Sequence, residues 1–259
     1  MSDPREPGPS ARPAASPTEL ARRELRKSLP KRFYRKAEAT QADGAFFVAL
    51  DGKPALTPGR RRLAVQSLDL AQALAAEWQA QAQEVDPSQM PLTRLANSAI
   101  DGVALDPGAV RADIVKYARS DLLCYRAGEP ATLVAAEQEA WIPVLDWARE
   151  ALGARLFVSQ GIAYVRQPPE ALAALERAAA QIEAPFALTG AHAMTTLTGS
   201  ALLALAVVRG RLSASEAWRA AHVDEDFQML AWGVDAQAMA RRDLRWREME
   251  AAALLSTIA

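Results

Sequence analysis

Apolar positions along the chain follow a period of two only in an early stretch and a helical period thereafter, which divides the sequence into two unequal parts. Phe33 and Tyr34 lead into a first run, Asp43 and Gly44 supply a turn, and Phe46 to Leu50 form a second run. Asp51 and Gly52 turn the chain again into Lys53 to Leu56. Asp-Gly pairs accept the positive φ of tight hairpins, so this segment predicts an antiparallel meander. Ser67 then caps a predicted helix reaching about Gln83, with Leu68, Ala71, Leu74, Ala75 and Trp78 on one stripe. Such a helix is the natural cover for a small sheet that cannot bury its apolar face alone.

Beyond Asp86 and Pro87 the pattern is almost wholly helical. Pro91 suits a first helical position, and Asp106 followed by Pro107 reads as a cap and a first turn, predicting helices near 91–103 and 107–119. Pro130 opens another, expected to kink or break near Pro143 before Gly153. Leu156 to Val158 and Ile162 to Val165, separated by Ser159, Gln160 and Gly161, predict a short hairpin. Pro168 and Pro169 start a helix to about Glu183, and a further one spans Pro185 to Val208, ended by Gly210. Ser213 and Glu216 form a capping box for a helix that Gly233 ends, with Ala217, Trp218, Ala221, Phe227, Leu230 and Ala231 on its apolar face; Asp235 caps the next. The fold class expected is α+β: a tail over 1–28, a small antiparallel β-rich domain with one covering helix over 29–85, and a larger, mostly α-helical domain over 86–259.

Charge and composition narrow the functional classes. With 30 Lys+Arg against 31 Asp+Glu the net charge is −1, which gives no global pull toward nucleic acid or an anionic membrane. The basic excess is local, in residues 1–36, and its Arg22 to Lys36 stretch reads as a solvated helix face. The Pro- and Ser-rich tail before Leu20 has no apolar periodicity and reads as disordered, and it lacks the apolar centre of a secretory signal. The longest strongly apolar run, Ala201 to Val208, is far shorter than the ~20 residues that span a bilayer. The lone Cys124 excludes an intrachain disulfide and reads as a small buried hydrophobe. A bacterial cytoplasmic location is expected, or the mitochondrial matrix for a eukaryotic source.

Motifs for catalysis are sparse. The chain has no phosphate-binding Gly-rich loop, no dinucleotide fingerprint and no nucleophile elbow, so no cofactor is expected. His192 reads as packed or interfacial. His222 with Asp224 and Glu225 suggests a metal site on paper, but positions i, i+2 and i+3 do not converge as an i, i+4 pair does. Asp224, Glu225 and Asp226 sweep about 300° of a helix, so they cannot all face the core. Among the six tryptophans, Trp78, Trp141, Trp147 and Trp218 read as core, while Trp232 and Trp246 near helix ends are less committed.

A set of motifs gives these features a common context. Glu216–Ala217–Trp218, then Asp224–Glu225, Gln228 and Trp232–Gly233–Val234–Asp235 occur in the order Leu50–Asp51–Gly52–Lys53 with Thr57–Pro58, Glu77–Trp78 with Gln81, and Met90 to Asn97 would lead one to expect. Asp121 to Arg126, Trp141 and Asp146–Trp147–Ala148 lie between. Together they resemble the ATP-twelve family, assembly chaperones that hold the alpha subunit of the ATP synthase catalytic head. The resemblance runs from about Arg32 to Arg242. It implies a chaperone that binds the free alpha subunit and shields its beta-facing surface, with no catalysis, nucleic acid, membrane or small-molecule substrate. By match to the acidic pair of the family motif, Glu225 is the expected recognition residue, with Asp224 and Asp226 setting the local field and Trp232 as an apolar anchor. The alternatives are an enzyme using Asp224 to Asp226 with His222, and a static interaction scaffold.

Overall fold

The computed structural model describes residues 29–161 and 163–258. The expectations for the tail and for Arg22 to Ser28 lie outside these residues. Strands β1 (Ala37–Ala42) and β2 (Ala45–Leu50) pair antiparallel around Asp43 and Gly44, whose φ values of 54° and 79° are those of the expected tight turn. Asp51 and Gly52, at 47° and 80°, repeat the device before β3 (Lys53–Pro54). A strand not foreseen, β4 (Ala64–Val65), pairs with the Phe46 end of β2, while β3 pairs with the Leu50 end. Two short strands thus share one edge of β2, and two residues each are too few to register as a period. The described part of the basic stretch, residues 29–36, is not helical: Arg32 lies over the Tyr34 ring at 4.6 Å, and Tyr34 donates from its hydroxyl to the Trp78 carbonyl at 2.7 Å.

Helix α1 (Leu68–Gln79) starts at Ser67, whose hydroxyl accepts from the Leu70 amide, and covers the sheet as expected, though it ends before Gln83. Its buried stripe is Leu70, Ala71, Leu74 and Ala75; Leu68 is exposed and Trp78 only partly buried, so the stripe sits about half a turn from its expected start. Helix α2 (Pro91–Ser98) is anchored at its start by Glu77 of α1, whose carboxylate accepts from the amides of Leu92 and Thr93 at 2.9 and 2.7 Å. It runs on through a π-turn over Ala99–Val103, and α3 (Pro107–Ala118) follows its Asp106 cap.

Helix α4 (Ala131–Trp147) passes through Pro143 without the break that was one of the two expected outcomes there. Pro143 and Glu139, whose carbonyl the proline deprives of a donor, are both on the exposed side, where water can serve that carbonyl. A π-turn, Ala148–Leu152, follows and Gly153 closes it with φ 73°. The expected 156–165 hairpin is absent among the described residues, Ile162 lying outside them. Its place is taken by the Gln167 side chain, which accepts from the Phe157 amide at 2.8 Å and donates to the Phe157 carbonyl at 3.0 Å, supplying the bonds of a strand partner. Ser159–Gln160 (β6) instead pairs parallel with Tyr125–Arg126 (β5).

After α5 (Pro169–Ala180), the single helix expected over 185–208 is two: α6 (Pro185–Thr198) and α7 (Ala201–Val208). Gly199 at φ 69° ends the first, and the Ser200 hydroxyl starts the second by accepting from the Leu203 amide at 3.1 Å. The helix expected from Ser213 to Trp232 is also two, α8 (Ala214–Ala221) and α9 (Val223–Trp232), before α10 (Ala236–Ile258). Helix α7 is buried from Ala201 through Val207 at the centre of the helical core, which Trp141 and Trp218 complete. A second core lies between sheet and α1, and Ala251 and Leu255 of α10 belong to it. The fold is α+β.

Candidate functional site

The acidic helix owes its position to the break at His222. The capping box at Ser213 is formed as expected, its hydroxyl accepting from the Glu216 amide while the Glu216 carboxylate accepts from the Ser213 amide at 2.7 Å. Ala217, Trp218 and Ala220 then bury α8. His222 departs from helical geometry at φ −119°, ψ 22°. Its buried imidazole lies 3.8 Å from the Trp218 ring centroid, with Nδ1 2.7 Å from the Trp218 carbonyl, and burial holds its pKa below the usual imidazole value. The Trp141 indole N–H donates to the Ala220 carbonyl at 2.6 Å, fixing the turn from α4.

Redirected by this wedge, α9 has no buried residue. The apolar face drawn across Ser213 to Trp232 therefore holds for Ala217, Trp218 and, in part, Ala221, but fails toward the end of α9: Leu230 is 89% exposed, Trp232 88% and Val234, in the link to α10, 66%. No glycine or proline marks the break, so periodicity carried the stripe through it.

The three carboxylates take three directions. Asp224 turns inward to the carboxyl of Glu137 on α4, and its buried Oδ1 finds no donor among the described residues. Glu137 itself is buried and accepts from the Ala127 amide at 2.9 Å; burial raises its pKa first, the Asp224 carboxyl adds to the rise, and Arg126 opposes it. Asp226 is paired with the largely buried Arg242 of α10, so it fastens α9 to its neighbour. Glu225 stays exposed. Its carboxylate lies 3.9 Å from Nε2 of the buried His222, beyond hydrogen-bond reach. All three sit in the first turn of α9, where negative charge suits the helix dipole.

Of the four positions singled out from the sequence, the structure thus leaves Glu225 and Trp232 on the surface and engages Asp224 and Asp226 internally. Glu225, Gln228 and Trp232 stand at i, i+3 and i+7, so they share one exposed face of α9 with about 10 Å between its ends. Trp246, the other tryptophan near a helix end, is partly buried against Trp218 at 5.6 Å. Leu230, Val234 and Glu137 were missed, the first because it fitted the core stripe and the last because nothing local distinguishes it from a surface glutamate. Among the described residues no three His, Cys, Asp or Glu side chains could hold a metal ion. His192 pairs with Asp113 at 2.8 Å, partly exposed. Cys124 is fully buried, with its thiol pushed up to about 12 chiefly by burial. No helix among the described residues is long and apolar enough to cross a membrane.

Comparison with known proteins places these features. Residues 31–149 match the family model of the ATP12 chaperone protein. The fold superposes on a candidate chaperone from Agrobacterium tumefaciens with a TM-score of 0.83 at 44% identity, covering 93% of this chain and 91% of that one. It superposes on Atp12 from Paracoccus denitrificans with a TM-score of 0.79 at 40% identity, covering 88% of this chain and 97% of that one. An aspartate-to-lysine mutant of the Paracoccus protein matches with a TM-score of 0.78, again at 40% identity and with the same coverage of 88% and 97%. The chain belongs to the ATP12 chaperone family.

Proposed function

We propose that this chaperone binds the free alpha subunit of the ATP synthase catalytic head and shields its beta-facing surface until the beta subunit arrives, in the bacterial cytoplasm or, in a eukaryote, the mitochondrial matrix. Family membership supports a protein partner in ATP synthase assembly. The observation that carries the reading to a surface is the exposure of α9, which sets Glu225 and Trp232 on one face while Leu230 on another face and Val234 just past its end also stand in solvent. A large aromatic held in solvent on an ordered helix loses little on becoming buried against a partner, and a carboxylate beside it fixes register. Asp224 and Asp226 support the site from within, by seating α9 on α4 and α10. Holding an unassembled subunit needs such an apolar surface and no nucleophile.

The test is binding of purified alpha subunit to Glu225→Lys and to Trp232→Ala. Both side chains are exposed, so each variant should keep its stability to within about 0.5 kcal/mol. Each should lose roughly 2 kcal/mol or more of binding. Wild-type binding by both variants would remove α9 from the recognition surface, and failure of the wild type to hold alpha would remove the partner.

A further inference from the structure

On the other side of α4 from the acidic helix lies an open trough of about 520 Å³, walled by α4 and by the extended segment Arg155–Val158. Its apolar lining is unusually exposed: Ile142 is 45% accessible, Phe157 54% and Val158 46%. Its charged lining is Arg126, Arg149 and Arg155 against Asp146 alone. Arg149 is engaged, at 3.1 Å from Asp146 and 3.0 Å from Glu150. Arg155 has no ion-pair partner among the described residues. Arg126 is half-buried: it stacks over Trp141 at 4.8 Å, the Glu137 carboxylate acts on its charge, and its Nε and Nη1 are buried with no acceptor among the described residues. The trough therefore combines an apolar floor with one exposed, unpaired guanidinium, Arg155, at its rim and a net basic lining.

We propose that this trough is a second docking surface, separate from α9, for an extended segment of a partner protein in which apolar side chains alternate with acidic ones. Alternation follows from the floor and the rim: side chains of an extended strand point alternately to opposite faces, so one set would enter between Ile142 and Phe157 while the other reaches Arg155 at the rim. Guanidinium groups suit carboxylates because the planar fork donates two parallel hydrogen bonds. Half-exposed apolar walls make the trough open along its length, which fits a chain lying across it better than a small molecule enclosed by it.

The probe is a short fluorescent peptide alternating leucine and glutamate, its counterpart with lysine for glutamate, and anionic lipid vesicles, each titrated against wild type, Arg155→Glu and Phe157→Ser. Circular dichroism checks that the variants, altered at exposed positions, remain folded. The acidic peptide should bind wild type at least about tenfold more tightly than the lysine peptide, weaken with salt, and lose about tenfold in either variant. Equal binding of the two peptides, or unchanged binding in both variants, overturns the proposal. So does binding of vesicles through Arg155 without binding of the peptide, or a self-association that both variants abolish, since each would assign the trough another occupant. Because alpha subunit is not used, the result stands apart from the α9 reading.

Discussion

At the scale of single residues, the most constrained polar group is Asp121. Wholly buried, it accepts from the Ser200 hydroxyl at 2.7 Å and from the amides of Leu123 and Leu202, both at 3.1 Å, so one carboxylate ties the start of α7 to the segment before β5. Asp121→Ala strands three buried donors, and a loss of about 3 kcal/mol or more is expected in urea unfolding. Its pKa is raised from 3.8 to about 6, burial outweighing the hydrogen bonds. An acid with a raised native pKa binds its proton more tightly folded than unfolded, so its stabilising contribution is full below the unfolded value and is lost as pH climbs through the native one. Relative to Asp121→Asn, which cannot ionise, wild type should lose up to about 3 kcal/mol between pH 4 and pH 6.5, with little change above. Denaturant midpoints of the two proteins at pH 4, 5, 6 and 7 give this difference, and a constant gap would refute the assignment.

At the scale of elements, the pairing of α6 with α10 decides how closely the helical part closes. Gly190 of α6 lies so near α10 that an added Cβ would stand 2.3 Å from the Ala252 carbonyl oxygen and 2.9 Å from the Ser256 Cβ. The first of these is backbone and cannot swing away, so Gly190→Ala must push the helices apart. A loss of roughly 2–3 kcal/mol follows from overpacking of this kind, despite the better helix propensity of alanine. Thermal unfolding checks it; an unchanged or raised Tm would mean that the crossing is looser than the contact implies. The hairpins, by contrast, were legible in advance, since Asp43–Gly44 and Asp51–Gly52 need only local backbone chemistry. The breaks at Gly199 and His222 differ in the same respect: Gly199 carries a local signal that a long apolar run obscured, whereas His222 turns the chain through its contacts with Trp218, far from any propensity.

For the whole molecule, α10 is the tie between the two cores. Met249, Ala252 and Ala253 pack into the helical core, whereas Ala251 and the fully buried Leu255 pack with the sheet and α1. The sheet is too small to be stable unaided. Leu255→Ala should therefore cost about 2–5 kcal/mol and lower the melting of both parts together, as one transition. Differential scanning calorimetry reads this directly: a low-temperature shoulder in the variant, with the helical transition unmoved, would show that the cores unfold independently.

The sequence by itself determined the β-meander, the mostly helical character of the chain beyond Pro87, the capping box at Ser213, the burial of Cys124 and Trp141, and the family, because each rests on local backbone chemistry, periodicity or motif order. Tertiary structure alone decided which carboxylate is free. Asp224, Glu225 and Asp226 are chemically alike and adjacent, and their fates differ because Glu137 lies opposite the first, Arg242 opposite the third and solvent opposite the second. It also decided that Leu230 and Trp232 face water, since a helical period describes a face only while the axis is unbroken, and the His222 wedge changes that axis.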